Sequence, residues 1–430
     1  MKELGWDKMP HYTHKIKTMG GFLRTKPPKI LPKSTGKNLS CEACGLYKNC
    51  ISPKMESFGE FKKGIMNIGE MPSLTDDVRN SPWQGRGGRF LSQTYREFGI
   101  NLFEDCINLN AINCFSDNKK SPTSSEINNC RRIVFEAINK YRPKIIVLFG
   151  QSALMSVIGD RWKKELGTIE KWRGFTIPDQ DLNAWICPTL DPLFVSDVNI
   201  QRRADDVIWK KDIKKFLSMI NTPIPKYIQP EIEIITDLNL LNYQKVNYGA
   251  HAKIKPEFAA FDYETTGIKP HAAGHRIVCA SVAYSENHAY VFMMPETKKE
   301  RQPFIDFLLD EEIKKIIANM KYERTWSEVR LKTIVKGLYW DTMLAAHQLD
   351  NRTGVSGLKF QNYVNFGVSD YSSEIEPYLH ALEKKNANSM NRIFELIEMP
   401  GGKEKLLTYC GYDSVNAYRL AKLQMPLIKN

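Results

Sequence analysis

Short apolar runs alternate with helix-length segments between Ile65 and Leu190, and this alternation constrains the chain most. Ile65–Ile68, Ile107–Ile112 and Lys144–Phe149 read as strands, the last apolar enough to be buried on both faces. The helix between the last two carries its own start signal. Thr123-Ser-Ser-Glu126 is a capping box, with Thr123 as N-cap and Glu126 reaching back to it. Ile127, Ile133, Val134 and Ile138 follow at roughly helical spacing. Strand–helix–strand order implies parallel strands with helices on the sheet faces, so the expected class is α/β.

The pattern is interrupted at Thr222-Pro-Ile-Pro-Lys-Tyr-Ile-Gln-Pro230, a proline-containing joint. A second α/β region starts near Glu231. Phe258–Tyr263 reads as a strand, and Arg276–Tyr284 with His288–Met293 as a hairpin turned at Ser285-Glu-Asn287. A chain of 430 residues exceeds one ordinary core. The expected organisation is an arm over 1–40, one domain over 41–221, a linker over 222–230 and a second domain over 231–430.

Charge narrows the partners. Lys and Arg outnumber Asp and Glu by 61 to 49, a net +12 that favours a polyanion, nucleic acid first. Residues 1–40 hold nine basic side chains against Glu3 and Asp7, with Pro27, Pro28 and Pro32 and little periodicity. They read either as a mobile basic arm that tracks phosphates or as a solvated tail. No apolar stretch is long enough to span a bilayer, and Met1–Pro10 lacks the apolar core of a signal peptide. The expected location is the cytoplasm, with no membrane partner.

Three acidic segments stand in order in the second half: Phe261-Asp-Tyr-Glu-Thr-Thr-Gly267, Asn319-Met-Lys-Tyr-Glu-Arg324 and Tyr409-Cys-Gly-Tyr-Asp413. On a strand, Asp262 and Glu264 point to the same face. In the helical stretch Leu406–Leu423, Tyr409 and Asp413 share a face. Carboxylates gathered in this way need counter-charge, and two divalent cations supply it in sites that cleave phosphodiesters. Asp341 reads as a helix N-cap before Met343, and Cys410 and Tyr412 as packing residues.

These segments resemble the three exonuclease motifs of the proofreading domain of family-A DNA polymerases, in the subclass with four acids and a tyrosine. The resemblance runs from about Ile232 to the end and includes Trp340-Asp-Thr-Met343. It implies that Asp262, Glu264 and Asp413 hold one Mg or Mn ion, and that Asp262 bridges to a second. Glu323 helps to hold that second ion through water, and Tyr409 orients the attacking water. The implied reaction is hydrolysis at a DNA 3′ end. The family's middle acid is Asp. Glu323 reaches one methylene further, which implies a lowered rate or a preference for Mn²⁺.

Nine cysteines in a chain expected inside the cell point to metal ligation or burial rather than disulfides. Cys41-Glu-Ala-Cys44, Cys114 and Cys130 stand among further landmarks: Ile68-Gly-Glu-Met-Pro-Ser73, Pro82-Trp-Gln-Gly85, Asn110, Leu148-Phe-Gly-Gln-Ser-Ala153, Trp172-Arg-Gly174 and Pro188-Thr-Leu-Asp-Pro192. Together they resemble family-four uracil-DNA glycosylases over roughly residues 41–200. The resemblance implies a [4Fe–4S] cluster on Cys41, Cys44, Cys114 and Cys130. Zinc accepts the same sulfurs and is the rival metal. Cys50 is either an alternative ligand or a buried thiol, and Cys106, Cys187, Cys279 and Cys410 read as core.

The same resemblance implies a pocket for a flipped base. Trp83 supplies a stacking face, Asn110 reads the base edge, and Glu70 orients water or stabilises positive charge on the sugar. The family's late His is here Asp191, an anion facing a developing anion, which has the wrong sign. Ser73 replaces a loop Gly, and Trp83 is larger than the family's Phe. A DNA-binding domain without excision is favoured over an active glycosylase. Arg86-Gly-Gly-Arg89 reads as a surface turn rather than a phosphate cradle.

The expected fold is therefore a parallel-sheet glycosylase-like domain followed by a ribonuclease H-like exonuclease domain with a mixed sheet. That order looks like the front of certain bacteriophage family-A DNA polymerases. Only 17 residues follow Asp413, too few for a polymerase palm, fingers and thumb. The expectation is a 3′→5′ exonuclease acting on single-stranded 3′ ends and primer–template DNA beside a polymerase domain or subunit, in the host cytoplasm if phage-encoded. The competing readings are a non-catalytic accessory module and a base-excision glycosylase.

Overall fold

Runs rich in Ile, Val and Leu become strands because branched side chains pack well on a pleated surface. The computed structural model of the chain describes residues 14–16, 40–117, 121–196, 203–242, 255–368, 371–383, 386 and 388–428. Its strands are β1 (His14–Ile16), β2 (Ile65–Gly69), β3 (Cys106–Asn110), β4 (Ile145–Phe149), β5 (Ile177–Asp179) and β6 (Ala184–Thr189), then β7 (Glu231–Ile234), β8 (Phe258–Thr265), β9 (Ile277–Ala283), β10 (His288–Met293), β11 (Lys314–Ile317) and β12 (Leu338–Asp341).

The chain divides into two compact units. One comprises Phe22–Tyr227 with Tyr363–Asp370, the other Met1–Gly21, Ile228–Asn362 and Tyr371–Asn430. The N-terminal unit has a sheet of order β3-β2-β4-β6-β5. The first four strands run parallel, and β5 runs antiparallel to β6. Every residue of β2, β3 and β4 is buried, as in strands covered on both faces. The capping box holds: the Glu126 N–H donates to Thr123 Oγ1 at 3.2 Å and the Thr123 N–H to Glu126 Oε2 at 2.7 Å, opening the helix Ser124–Tyr141.

The C-terminal unit has a mixed sheet of order β1-β7-β10-β9-β8-β11-β12. Strand β9 is antiparallel to β8 and β10, whereas β8, β11 and β12 are parallel. This is the ribonuclease H-like arrangement, with the expected hairpin as β9 and β10. The long helix Gly402–Ile428 packs on β8, β9 and β10.

Two placements were not visible in the residue pattern. His14–Ile16, inside the basic arm, pairs antiparallel with Ile232–Ile234, so the arm holds an edge strand where neither a mobile arm nor a solvated tail was expected to have one. The rest of 1–39 lies outside the described residues. Tyr363–Asp370 groups with the N-terminal unit, where the Tyr363 ring stacks on Trp162 at 5.7 Å and meets Trp172 edge-on at 5.9 Å. Among the described residues, no helix is long and apolar enough to cross a membrane.

Candidate functional site

Parallel strands present their carboxyl ends to a common edge, where α/β proteins build sites. In the N-terminal unit Glu70 follows β2, Asn110 ends β3, Gly150 follows β4 and Asp191 follows β6. Glu70 Oε1 accepts the Ser152 N–H at 3.0 Å, at the start of the helix Gln151–Arg161. A Cβ on Gly150 would lie 2.7 Å from that oxygen, and φ there is +86°, so the close approach requires glycine.

Trp83 and Asn110 meet over Gly69. A Cβ on Gly69 would lie 2.5 Å from Asn110 Oδ1 and 2.8 Å from Trp83 Cζ2. Trp83 is 9 % exposed and packs edge-on against Phe149 at 5.3 Å. Its buried indole N–H has no partner in the structure. The four pocket residues thus cluster at one sheet edge.

Asp191 serves as an N-cap. Its Oδ1 accepts the N–H groups of Leu193 at 2.7 Å and Phe194 at 3.4 Å. Burial, reinforced by the Glu70 charge, pushes its carboxyl up to about 7. Ser73 likewise caps a helix, Leu74–Arg79, in a capping box with Asp76. Arg86-Gly-Gly-Arg89 is not a surface turn. It opens the helix Arg86–Glu97, with Gly87 against Leu193 and Gly88 against the Trp83 backbone.

The cysteines Cys41, Cys44, Cys114 and Cys130 approach one another in the same unit. Cys41 and Cys44 sit on a one-turn helix capped by Ser40, whose N–H donates to Asn129 Oδ1 at 2.9 Å, next to Cys130 on the helix Ser124–Tyr141. The Lys54 N–H donates to Cys114 Sγ at 3.3 Å. Burial pushes the Cys114 thiol up to about 11 and the Cys130 thiol up to about 12, and each also feels Cys41. Ile112, Ile127 and Cys130 form an apolar cluster with Leu46, Met71 and Met155 against it. Four thiols in an apolar setting, one already receiving a backbone N–H, fit an iron–sulfur cluster. Cys50 is half-buried, and its thiol adjoins Cys114.

The C-terminal unit builds the acidic centre. Strand β8 places Asp262 and Glu264, with a register shift just after Glu264. The helix Met320–Trp326 carries Glu323 in its first turn. Asp341 caps both that helix and its own. It accepts N–H groups from Asn319 and Met320 as well as from Met343 and Leu344. The helix Gly402–Ile428 presents Tyr409 and Asp413 one turn apart.

All five residues interact. Burial raises Asp262 well above the usual carboxylate range, with Asp413 adding to the rise. Glu264 is raised by burial and then by Asp262, and Glu323 by burial and then by Asp262. Burial also raises the Tyr409 hydroxyl, followed by Asp413 and Glu264, so it keeps its proton. Glu323 is 3 % exposed, and its Oε2 has no hydrogen-bond partner. A buried carboxylate oxygen left without a donor, among three further acids, is the donor set a divalent cation requires, so the residues fit such an ion.

Sequence reasoning missed two neighbours, Lys359 and Tyr371, and gave a third, Cys410, only a packing role. Lys359, on the helix Leu358–Phe366, donates to Asp413 Oδ1, and the Tyr371 hydroxyl donates to the same oxygen at 2.7 Å. Cys410 is buried, as expected of a packing residue, and it also borders the centre: one oxygen each of Asp262 and Glu264 and its sulfur lie within 4.8 Å of one another. Lys359 and Tyr371 belong to no motif and arrive by tertiary packing. For Cys410 a signal existed, since it directly follows Tyr409.

A profile of the Uracil DNA glycosylase superfamily matches residues 56–211. The type-4 uracil-DNA glycosylase of Thermotoga maritima is 30 % identical over 182 residues, 42 % of this chain and 89 % of that protein. The Archaeoglobus fulgidus type-4 enzyme is 26 % identical over 136 residues, 32 % of this chain and 67 % of that protein. Through its N-terminal unit, the chain belongs to the type-4 uracil-DNA glycosylase family. Among solved structures, Brucella melitensis NrnC covers 45 % of this chain and 78 % of its own at 17 % identity and a TM-score of 0.30. Trypanosoma brucei RNase D covers 45 % and 64 % at 15 % identity and 0.33. At these scores the likeness is partial.

Proposed function

We propose that the C-terminal unit is a two-metal 3′→5′ exonuclease acting on DNA. The observation that carries this reading is the buried, partnerless Oε2 of Glu323 within a set that also holds Asp262, Glu264 and Asp413. Asp262, Glu264 and Asp413 would hold one Mg or Mn ion, with Asp262 and Glu323 serving the second. Bound cations supply Lewis-acid stabilisation of the attacking and leaving oxygens of a phosphodiester. Tyr409 keeps its hydroxyl proton and so can orient a water by hydrogen bonding. Cys410, held as a thiol by burial, lies 4.0 Å from Asp262 Oδ2 and 3.4 Å from Ser281 Oγ, which limits how that carboxylate turns.

The N-terminal unit, on this reading, binds DNA without excising a base. Asp191 supplies no positive charge for a departing base, and one of its oxygens is engaged in capping a helix. The four cysteines would hold a [4Fe–4S] cluster. Zinc accepts the same four sulfurs and is the rival ion. The order of the two units supports work beside a polymerase domain or subunit.

The test uses 5′-labelled single-stranded and mismatched primer DNA with Mg²⁺ or Mn²⁺. Stepwise loss of 3′ nucleotides, absent in Asp262→Ala, is the expected result, and no loss with either ion would defeat the nuclease reading. Uracil-containing DNA run in parallel decides the second point. Alkali-labile sites that vanish in Glu70→Ala would mean that the N-terminal unit is an active glycosylase.

A further inference from the structure

Lys359 reaches the acidic centre itself, seated between two of its aromatic rings. Its ammonium donates to Asp413 Oδ1 and lies 4.2 Å from the ring centroid of Tyr409 and 4.3 Å from that of Tyr371. Its side chain is 16 % exposed. Tyr371 is fixed in turn, its hydroxyl accepting from Asn362 Nδ2 at 2.8 Å while donating to Asp413. Asp262 and Glu264 also feel the Lys359 charge, which opposes the repulsion they receive from Asp413. One side chain therefore touches the tyrosine and one acid of the centre, and acts on two more acids through space.

A single positive charge against Asp262, Glu264, Glu323 and Asp413 leaves the centre under-neutralised. It nevertheless takes an oxygen of Asp413 that a divalent ion would use. An aromatic pair around the ammonium offers it a favourable seat at modest cost. A resident monovalent cation of this kind does two things. It keeps the acids together before metal arrives, and it weakens metal binding by its charge and by its hold on Asp413.

We propose that Lys359 is a built-in counter-ion of the acidic centre, a positioning residue that competes with divalent cations for Asp413 and steadies the Tyr409 ring. The proposal rests on the reading of this centre as a metal site. A unit charge within ~4–6 Å changes the proton affinity of a carboxylate by about 10- to 1000-fold. Divalent affinity should respond in the same sense when that charge is removed.

The measurement is calorimetric titration of Mn²⁺ into the full chain without DNA, for the wild type, Lys359→Met, Lys359→Arg and Asp262→Ala. Lys359→Met should bind Mn²⁺ at least about tenfold more tightly, whereas Lys359→Arg, which keeps the charge, should stay near wild type. Melting temperature gives an independent readout: the gain on adding Mn²⁺ should be larger in Lys359→Met than in the wild type. Lys359→Gln serves the same comparison if the Met variant folds poorly. Unchanged or weaker Mn²⁺ binding in the neutral variants, with binding still lost in Asp262→Ala, overturns the role of Lys359 and leaves the metal site standing. Absence of binding in the wild type overturns both.

Discussion

The two units each gather acids, and they treat them differently. In the N-terminal unit Glu70 and Asp191 are met by backbone N–H groups at helix starts, from Ser152 and from Leu193 and Phe194. In the C-terminal unit Asp262, Glu264 and Asp413 share Lys359, and Glu323 Oε2 receives nothing. Acids satisfied by the fold itself are self-contained. Acids that the fold gathers and leaves short of donors need a ligand from outside, and for four carboxylates that ligand is cationic.

The largest expected effect breaks this contrast at its centre. Asp262→Ala should lower 3′ nucleotide release by at least about a hundredfold to a thousandfold, the scale of losing a group that stabilises transition-state charge. Single-turnover assays on labelled primers would measure it, and Glu70→Ala should leave that rate unchanged. Next is Cys130→Ser. It should remove most of a visible iron–sulfur absorption and of about four irons per chain, read by metal analysis. Retention of zinc in a colourless protein would instead assign that site to zinc.

Glu323→Asp sharpens the comparison within the acidic centre. The shorter side chain should shift the Mn²⁺-to-Mg²⁺ rate ratio toward Mg²⁺ by ~10-fold, given the strict geometry Mg²⁺ demands. The ratio measured at saturating metal decides it.

Asp191 gives a pH test. Its carboxyl is raised from 3.8 to about 7 in the folded chain, so the folded state favours the protonated form. The stability this confers is present below about 3.8 and is lost as pH rises through about 7. Asn caps helices as well as Asp does, so Asp191→Asn removes the charge and keeps the cap. The variant should melt higher than the wild type at pH 8 and close to it at pH 4. The smallest effect is Thr123→Ala, expected to cost ~1 kcal/mol of stability through the lost cap in a denaturant titration, with nuclease rate unaffected.

Local rules made much of this legible. The Thr123–Glu126 capping box, the β9–β10 hairpin and the buried strand β4 follow from spacing and side-chain shape. The same-face placement of Asp262 with Glu264, and of Tyr409 with Asp413, follows from strand and helix periods. What stayed hidden depends on approach in three dimensions. Lys359 and Tyr371 lie 54 and 42 residues from Asp413 and share no period with it. The pairing of His14–Ile16 with β7 and the packing of Tyr363 on Trp162 also join distant segments. Asp191 and Ser73 were legible as departures from the glycosylase pattern. Their actual work, capping two short helices, became visible only with the backbone in place.

The most direct measurement is an anomalous difference map from crystals of the full chain soaked in Mn²⁺, compared with the Asp262→Ala variant. Manganese is expected among the carboxylates of Asp262, Glu264, Glu323 and Asp413 beside Tyr409 in the wild type, and none there in the variant. Ordered carboxylates with no manganese at saturating concentration would contradict that expectation.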